Sequence, residues 1–311
     1  MNKPTLSIIV PVYHEEQNIP LLHSRLLTAM KLISDDFEII WVNDGSSDNS
    51  LFLIKELAAA DKRNKYISFT RNFGHQMALM AGLEACSGKA AVMIDCDLQD
   101  PPELIPELWE QYEKGFKVVY ARRRQRKGEN IVRKFAIRLF YRLLHRTTRI
   151  RIPVDTGDFR LIDRKVIDAL KSMPEQHKYL RGQIAWLGFS QIAVSYNRDG
   201  RFAGKSKYGW IRLFRLAMDG FTGFSNLPLK LASLGGFLVS LVAFIIILYA
   251  LYSKFIMGNV ISGWTSLIIS TMFIGGIQLI SIGIIGEYIS RINSDVRKRP
   301  LYMVEEANLD L

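Results

Sequence analysis

The sequence predicts an α/β protein. A Rossmann-like, mostly parallel sheet carries helices on both faces, and interfacial amphipathic helices and two C-terminal transmembrane helices accompany it. Three observations carry this expectation. Short β-type apolar runs alternate with helical patterns over residues 6–120, the order that builds parallel sheets. A polar cluster follows each apolar run. Two uncharged apolar stretches, residues 231–253 and 264–286, lie near the C-terminal end, each about long enough to cross a ~30 Å hydrocarbon core.

The apolar runs fall at 6–10, 37–42, 66–70, 90–94 and 117–120, the first of them ending at Pro11. Helical patterns separate them at 19–33, 50–60, 75–85 and 103–112. In open α/β sheets ligands bind beyond the carboxyl ends of the strands, which is where the polar clusters stand. Tyr13-His14-Glu15-Glu16 follows the first run, Asn43-Asp44-Gly45-Ser46 the second and Arg71-Asn72-Phe73-Gly74 the third. Asp95-Cys96-Asp97 follows the fourth and Arg122-Arg123-Arg124 the fifth. Any one cluster is a weak sign; five at successive strand ends converge on one crevice.

Asp95 and Asp97 stand two apart at a strand end, with the Gln99 amide and an Asp-Pro-Pro stop close behind. Hard divalent cations want oxygen ligands, and Mg²⁺ takes one or two carboxylates with water and substrate phosphate. The string therefore suggests a metal holding a diphosphate; its bland alternative is a solvated turn. Asp44 can accept from a ribose hydroxyl or a base N–H, or cap the next helix, a role Asp48 fits better. Glu15 can contact a nucleotide or cap the helix that opens near Asn18. The run Arg122 to Arg124 is either a phosphate contact or a solvated basic stretch, and Arg123 and Arg124 suit the second description.

The apolar stretches are framed by charge. Lys205, Lys207, Arg212, Arg215 and Lys230 precede them, and Arg291, Arg297, Lys298 and Arg299 follow, while the linker carries only Lys254. The positive-inside rule then puts both ends in the cytoplasm around a short external hairpin; the alternative is a pair of buried core helices. Gly235-Gly236, Gly275-Gly276, Gly283 and Gly286 would allow close helix approach, within the hairpin or in an oligomer. Residues 130–149 form a basic amphipathic pattern, with Val132, Phe135, Leu139, Phe140 and Leu143 on one face and Arg133, Lys134, Arg138 and Arg142 elsewhere. Such a helix lies on an anionic membrane surface or covers its own sheet. A second interfacial pattern runs over 210–221. The expected organisation is a cytoplasmic domain over 1–208, an interfacial helix over 209–228, a transmembrane hairpin over 229–290 and a cytoplasmic tail over 291–311.

The net charge of +11 suits a polyanionic partner. Nucleic acid is the weaker reading, because the cations gather toward the membrane-proximal part. Two cysteines, with no CxxC and no zinc-ligand spacing among the His, fit reduced thiols in a cytosolic compartment. The first apolar run is too short for a secretory signal.

The set Pro11-Val12-Tyr13-His14-Glu15, Val42-Asn43-Asp44-Gly45-Ser46, Arg71-Asn72-Phe73-Gly74 and Asp95-Cys96-Asp97-Leu98-Gln99-Asp100-Pro101 resembles family 2 glycosyltransferases of the GT-A fold. Three later stretches narrow the resemblance: Asp155-Thr156-Gly157-Asp158-Phe159-Arg160-Leu161, Trp186-Leu187-Gly188-Phe189 and Arg201-Phe202-Ala203-Gly204-Lys205-Ser206-Lys207-Tyr208. These are similar to polyprenyl-phosphate glycosyltransferases, the branch that contains dolichyl-phosphate mannose synthases, and the two C-terminal apolar stretches make the chain most similar to the bacterial GtrB-type subgroup. His14 departs from the Asn usual there.

The resemblance implies a nucleotide site of Pro11, Tyr13, Glu15, Val42, Asp44 and Asp95, and a divalent cation (Mg²⁺ or Mn²⁺) on Asp95, Asp97 and Gln99. It implies that Arg122, Arg201, Ser206, Lys207 and Tyr208 face donor or acceptor phosphate. Asp97, Asp158 and Asp155 are the implied catalytic carboxylates, with Asp158 orienting a sugar or assisting weakly as a base. The implied reaction is inverting transfer of a sugar, glucose from UDP-glucose in first place, to polyprenyl phosphate at the cytoplasmic membrane face, by a homo-oligomer such as a tetramer. A processive polysaccharide synthase is a rival, but such enzymes carry Gln-x-x-Arg-Trp and more spans; here the stretch reads Arg181-Gly182-Gln183-Ile184-Ala185-Trp186. A non-enzymatic scaffold or anionic-lipid binder is the other rival, and the acidic and basic clusters argue against it.

Overall fold

The computed structural model describes residues 4–123, 153, 156–196, 227–256 and 263–309. Two compact units divide the chain. The larger contains an eight-stranded sheet of order β7-β5-β6-β4-β1-β2-β3-β8. Its strands are β1 (Leu6–Val12), β2 (Phe37–Asn43), β3 (Asn64–Phe69), β4 (Ala90–Met93), β5 (Val118–Arg123), β6 (Thr156–Asp163), β7 (Gln191–Tyr196) and β8 (Val304–Ala307). Its helices are α1 (Ile19–Met30), α2 (Ser50–Ala60), α3 (His75–Ala85), α4 (Ile105–Glu113), α5 (Arg164–Lys171) and α6 (Leu180–Trp186).

Strands β4, β1, β2 and β3 run parallel. β6 enters antiparallel between β4 and β5, and β7 lies parallel to β5. The sheet is thus mostly parallel and α/β, as expected. β1 continues through Pro11, which sits opposite Val42 in the register. A proline in an interior strand normally removes a ladder bond. Here Ile9 O accepts from Ile94 N and Val12 O from Asp44 N, so alternation turns Pro11 toward β4, which has already ended at Met93. No bond is lost.

Two apolar layers cover the sheet. One joins Leu6, Ile8, Val10 and Trp41 to Leu22 and Leu26 of α1, Ile54 of α2 and Leu108 of α4. The other joins Ile9, Ile40 and Val42 to Leu79 and Leu83 of α3, Ile167 of α5 and Ile184 of α6. Adjacent residues of β1 and β2 feed opposite layers, as a doubly covered parallel strand requires. α3 lies so close to β1 that a Cβ on Gly82 would meet Ile9 Cγ2 at 2.3 Å.

The tail carries β8, a strand not marked by the sequence. It pairs antiparallel with the outer edge of β3 and belongs to the sheet unit.

The second unit contains α7 (Leu227–Phe255) and α8 (Trp264–Arg297). Among the described residues one stretch, Ser270–Arg297, is long and apolar enough to cross a membrane, and Ala232–Ile246 is a shorter apolar helix. Their apolar side chains face outward: Phe237, Phe244, Met272, Phe273 and Leu279 are all exposed. So large an exposed apolar area marks an interaction surface, for protein or for lipid. Six glycines, Gly235, Gly236, Gly275, Gly276, Gly283 and Gly286, lie along α7 and α8. A Cβ at any of them would meet nothing within 4 Å among the described residues.

Candidate active site

The loops after β1, β2, β3 and β4 meet at the carboxyl end of the parallel strands. The first two are zipped together. His14 N donates to Ser46 Oγ, Ser47 N donates to His14 Nε2 at 3.1 Å, and Glu15 N donates to Ser50 Oγ. Glu16 and Asp48 exchange carboxylates: Glu16 N donates to Asp48 and Asn49 N donates to Glu16. His14 thus joins the two loops, its Nε2 accepting from Ser47 N. The backbone bends sharply here, with φ of +56° at His14 and +58° at Leu98. Such conformations persist only where surroundings hold them, and they gather at functional sites.

Asp44, at the end of β2, is buried. Its carboxylate accepts from Phe73 N at 2.7 Å and from Gly74 N at 3.0 Å. Burial raises its pKa and these two N–H groups oppose the rise. Asp44 thus fastens the 71–74 loop across the crevice, while Asp48 accepts from Ser50 N at the start of α2. Glu15 accepts from Asn18 Nδ2 at the entry to α1. Tyr13 is half-exposed beside them, its ring 4.1 Å from the His14 ring. Pro11 and Val42 line the same strand ends as buried neighbours in the register.

Beyond β4 the acidic loop holds Asp95, Asp97 and Gln99. Asp97 is buried and accepts from Gln99 N at 3.2 Å. Asp95 Oδ1 is buried and accepts no hydrogen bond among the described residues. Burial, with neighbouring Asp100, Asp158 and Asp97, pushes the Asp95 carboxyl up to about 6 against the opposing charge of His75. No three His, Cys, Asp or Glu side chains among the described residues form a metal cage. A buried oxygen that accepts no hydrogen bond, in a carboxylate-and-amide set, nonetheless fits a hard cation that completes its shell with substrate phosphate.

His75, the first residue of α3, lies between two carboxylates. Its Nε2 is 3.4 Å from Asp95 Oδ1 and 3.4 Å from Asp158 Oδ2. Burial alone would lower its pKa; Asp95 and Asp158 outweigh that and raise it to about 9, so it is a cation at neutral pH. Asp158 projects from β6, its side chain only 7% exposed. Arg181 grips it through Nε at 2.8 Å and Nη2 at 3.2 Å, and Gln76 Nε2 donates to Oδ2 at 3.2 Å. Burial would raise the Asp158 pKa, but Arg181 and His75 hold it well below the usual carboxylate range. A carboxylate so saturated is a weak proton acceptor and a firm anchor.

Arg123 is not the solvated cation its sequence suggests. It is 12% exposed, donates to Tyr196 Oη, and places Nη2 3.6 Å from Asp100, while the Tyr196 hydroxyl donates to Asp100. This cluster ties the acidic loop to β5 and β7. Arg122 points the other way, exposed, with Nη2 on Ser195 Oγ. Asp155, Arg201, Ser206, Lys207 and Tyr208 lie outside the described residues, as do Arg124 and the amphipathic patterns at 130–149 and 210–221.

His75, Gln76 and Arg181 carry no chemical role in the sequence reading. The only available signal was their place directly after Gly74 and just before the Trp186 stretch. Their role exists only once Asp95 and Asp158 are brought beside them by other strands.

The glycosyl transferase family 2 model matches residues 7–171. A Bacillus subtilis (strain 168) protein described as "Uncharacterized glycosyltransferase YkcC" is 48% identical over 97% of this chain and 93% of its own. The "Prophage bactoprenol glucosyl transferase homolog" of Escherichia coli (strain K12) is 39% identical over 96% of this chain and 98% of its own. The "Bactoprenol glucosyl transferase" of Shigella phage SfII is 37% identical over 97% and 98%. Among solved structures, glucosyl-3-phosphoglycerate synthase from Mycobacterium tuberculosis aligns with a TM-score of 0.48 and 19% identity, covering 70% of this chain and 76% of that one.

Proposed function

The chain belongs to glycosyltransferase family 2, and from that premise we propose that it transfers a hexose from a nucleotide diphosphate sugar to a polyprenyl phosphate. UDP-glucose is the proposed donor and undecaprenyl phosphate the proposed acceptor. Relatives whose printed names say bactoprenol glucosyl transferase, alike over nearly the full length, support the lipid acceptor. The observation that carries the reading is one chain holding both Asp95 beside Asp97 at the end of β4 and outward-facing apolar helices.

In this reading Pro11, Tyr13, Glu15, Val42 and Asp44 border the nucleotide. Asp95, Asp97 and Gln99 would hold Mg²⁺ or Mn²⁺, which when bound neutralises charge on the departing diphosphate. Arg122, Arg201, Ser206, Lys207 and Tyr208 face phosphate oxygens, a task the arginine fork suits. An acceptor phosphate oxygen forms a bond to C1 as the C1–O bond to the diphosphate breaks, and the electron pair leaves with UDP. Attack from the opposite side inverts the anomeric centre. A phosphate monoester has its second pKa near ~6, so the nucleophile is already an anion at neutral pH and needs no general base. Asp158, kept ionised by Arg181, orients the sugar; Asp155 stands near it in sequence as a second carboxylate.

Both α7 and α8 cross the membrane in this proposal. Residues 1–208 and the tail lie on the cytoplasmic side, and the spans assemble a homo-oligomer such as a tetramer. The donor is tested by offering UDP-glucose, UDP-N-acetylglucosamine and GDP-mannose to the purified protein with undecaprenyl phosphate. Transfer from UDP-glucose at the highest kcat/KM supports the assignment; preference for another sugar replaces the donor and leaves the reaction class standing.

A further inference from the structure

We propose that Tyr302, at the crevice end of the segment that leads into β8, is a positioning residue of the nucleotide site and acts on the 71–74 loop. The proposal rests on the reading that Asp44 and this loop border the donor nucleotide.

β8 closes the edge of the sheet with Ile67 opposite Ala307 and Phe69 opposite Val304. Its flanks extend the pairing. Thr70 N donates to Met303 O at 3.1 Å at one end, and Tyr66 N donates to Asn308 Oδ1 at 2.6 Å at the other. Protecting a sheet edge would need no more than this. The end nearer the crevice carries something additional. The Tyr302 ring stacks on Phe69, with centroids 4.8 Å apart and planes at 20°. Phe69 meets Phe73 edge-on at 5.7 Å. The Tyr302 hydroxyl donates to Glu84, near the end of α3.

Tyr302 therefore grips both sides of the loop: the strand that enters it and the helix that leaves it. Inside the loop, Phe73 N and Gly74 N are the two donors that hold Asp44. The relay runs from Tyr302 through Phe69 and Phe73 to the Asp44 carboxylate. Loss of Tyr302 removes the ring against which Phe69 sets Phe73, and the loop's N–H groups lose their aim. His75, directly after Gly74, faces Asp95 and Asp158, so a loosened loop lowers donor affinity and turnover together.

The test uses the full chain in detergent. UDP binding is read by calorimetry, transfer by kcat and KM, and the Phe73 and Gly74 amides by hydrogen exchange. Tyr302→Leu should raise the UDP Kd and donor KM about tenfold, the effect expected of one aromatic pair. It should also speed exchange of both amides. Tyr302→Phe should restore binding, because the ring remains. Asn308→Ala loosens the far end of the same strand and should lower the thermal midpoint while leaving KM and loop exchange unchanged. If Tyr302→Leu is too unstable, Phe73→Leu should give the same rise in KM. Unchanged amide exchange and UDP affinity in Tyr302→Leu would overturn the proposal, as would an equal KM rise in Asn308→Ala. A wild-type protein that binds no UDP sinks the donor reading instead, and the exchange data still decide the positioning role.

Discussion

At Asp158, donors from Arg181, Gln76 and His75 close on one carboxylate. A group held well below the usual carboxylate range is ionised throughout the working pH range and has little appetite for a proton. Asp158→Asn should lower kcat by about 10²-fold, the scale of a misplaced positioning group, without deleting a limb from the pH–rate profile. A limb that vanished with the mutation would make Asp158 a base after all. The residue scale is also where sequence reading fell shortest. Arg123 stands in a run of three arginines and looks solvated; Asp100 and Tyr196, each on a different loop or strand, bury it. His75 opens a helix like any other until β4 and β6 deliver Asp95 and Asp158 to it.

Strands and helices divide by what kind of signal each one emits. β1 to β5 and α1 to α4 were readable, because each buries a strong apolar run or stripe against the sheet. β6 was not: its buried Asp158, Arg160 and Asp163 break the apolar pattern, and only distant partners, Arg181 and Gln76 for Asp158 and Tyr112 and Lys117 for Asp163, make the two carboxylates tenable there. β8 is four residues, Val-Glu-Glu-Ala, and exists only because β3 offers an edge. A buried network also joins the strands at the end away from the crevice. Glu38 accepts from Ser7 Oγ at 2.6 Å, Lys65 Nζ at 2.5 Å and Ser87 N at 2.7 Å. Burial would raise the Glu38 pKa, but these donors outweigh it and lower the pKa. The stability Glu38 contributes is therefore present above its unfolded pKa of ~4.3 and is lost as pH falls through its lower folded value. Glu38→Gln should cost about 2 kcal/mol at neutral pH. Thermal unfolding of mutant and wild type should converge as pH drops below ~4. A gap that stays constant down to pH ~3 would assign the stability to packing rather than charge.

The whole molecule joins a sheet unit that carries acidic chemistry to helices whose apolar side chains face outward. Both were legible in the sequence, one as polar clusters after apolar runs and the other as uncharged stretches between basic flanks. The part played by the glycines was not, because helix-to-helix spacing depends on partners that sequence spacing does not specify. The native Cys86 and Cys96 are buried, which leaves a low background for thiol labelling. A cysteine at Asn259 should react with an impermeant maleimide added outside intact cells. One at Asn293 should react only after the membrane is opened. Equal labelling of both in intact cells would contradict a cytoplasmic catalytic unit.

The most direct measurement of the central claim is transfer itself. Purified protein in detergent is given radiolabelled UDP-glucose, undecaprenyl phosphate and Mg²⁺ or Mn²⁺, with a chelator control and Asp97→Asn beside it. Label is expected in the organic phase and should disappear with the chelator and in the mutant. Absence of label there from every nucleotide sugar offered, with the protein folded and the lipid present, would contradict the claim.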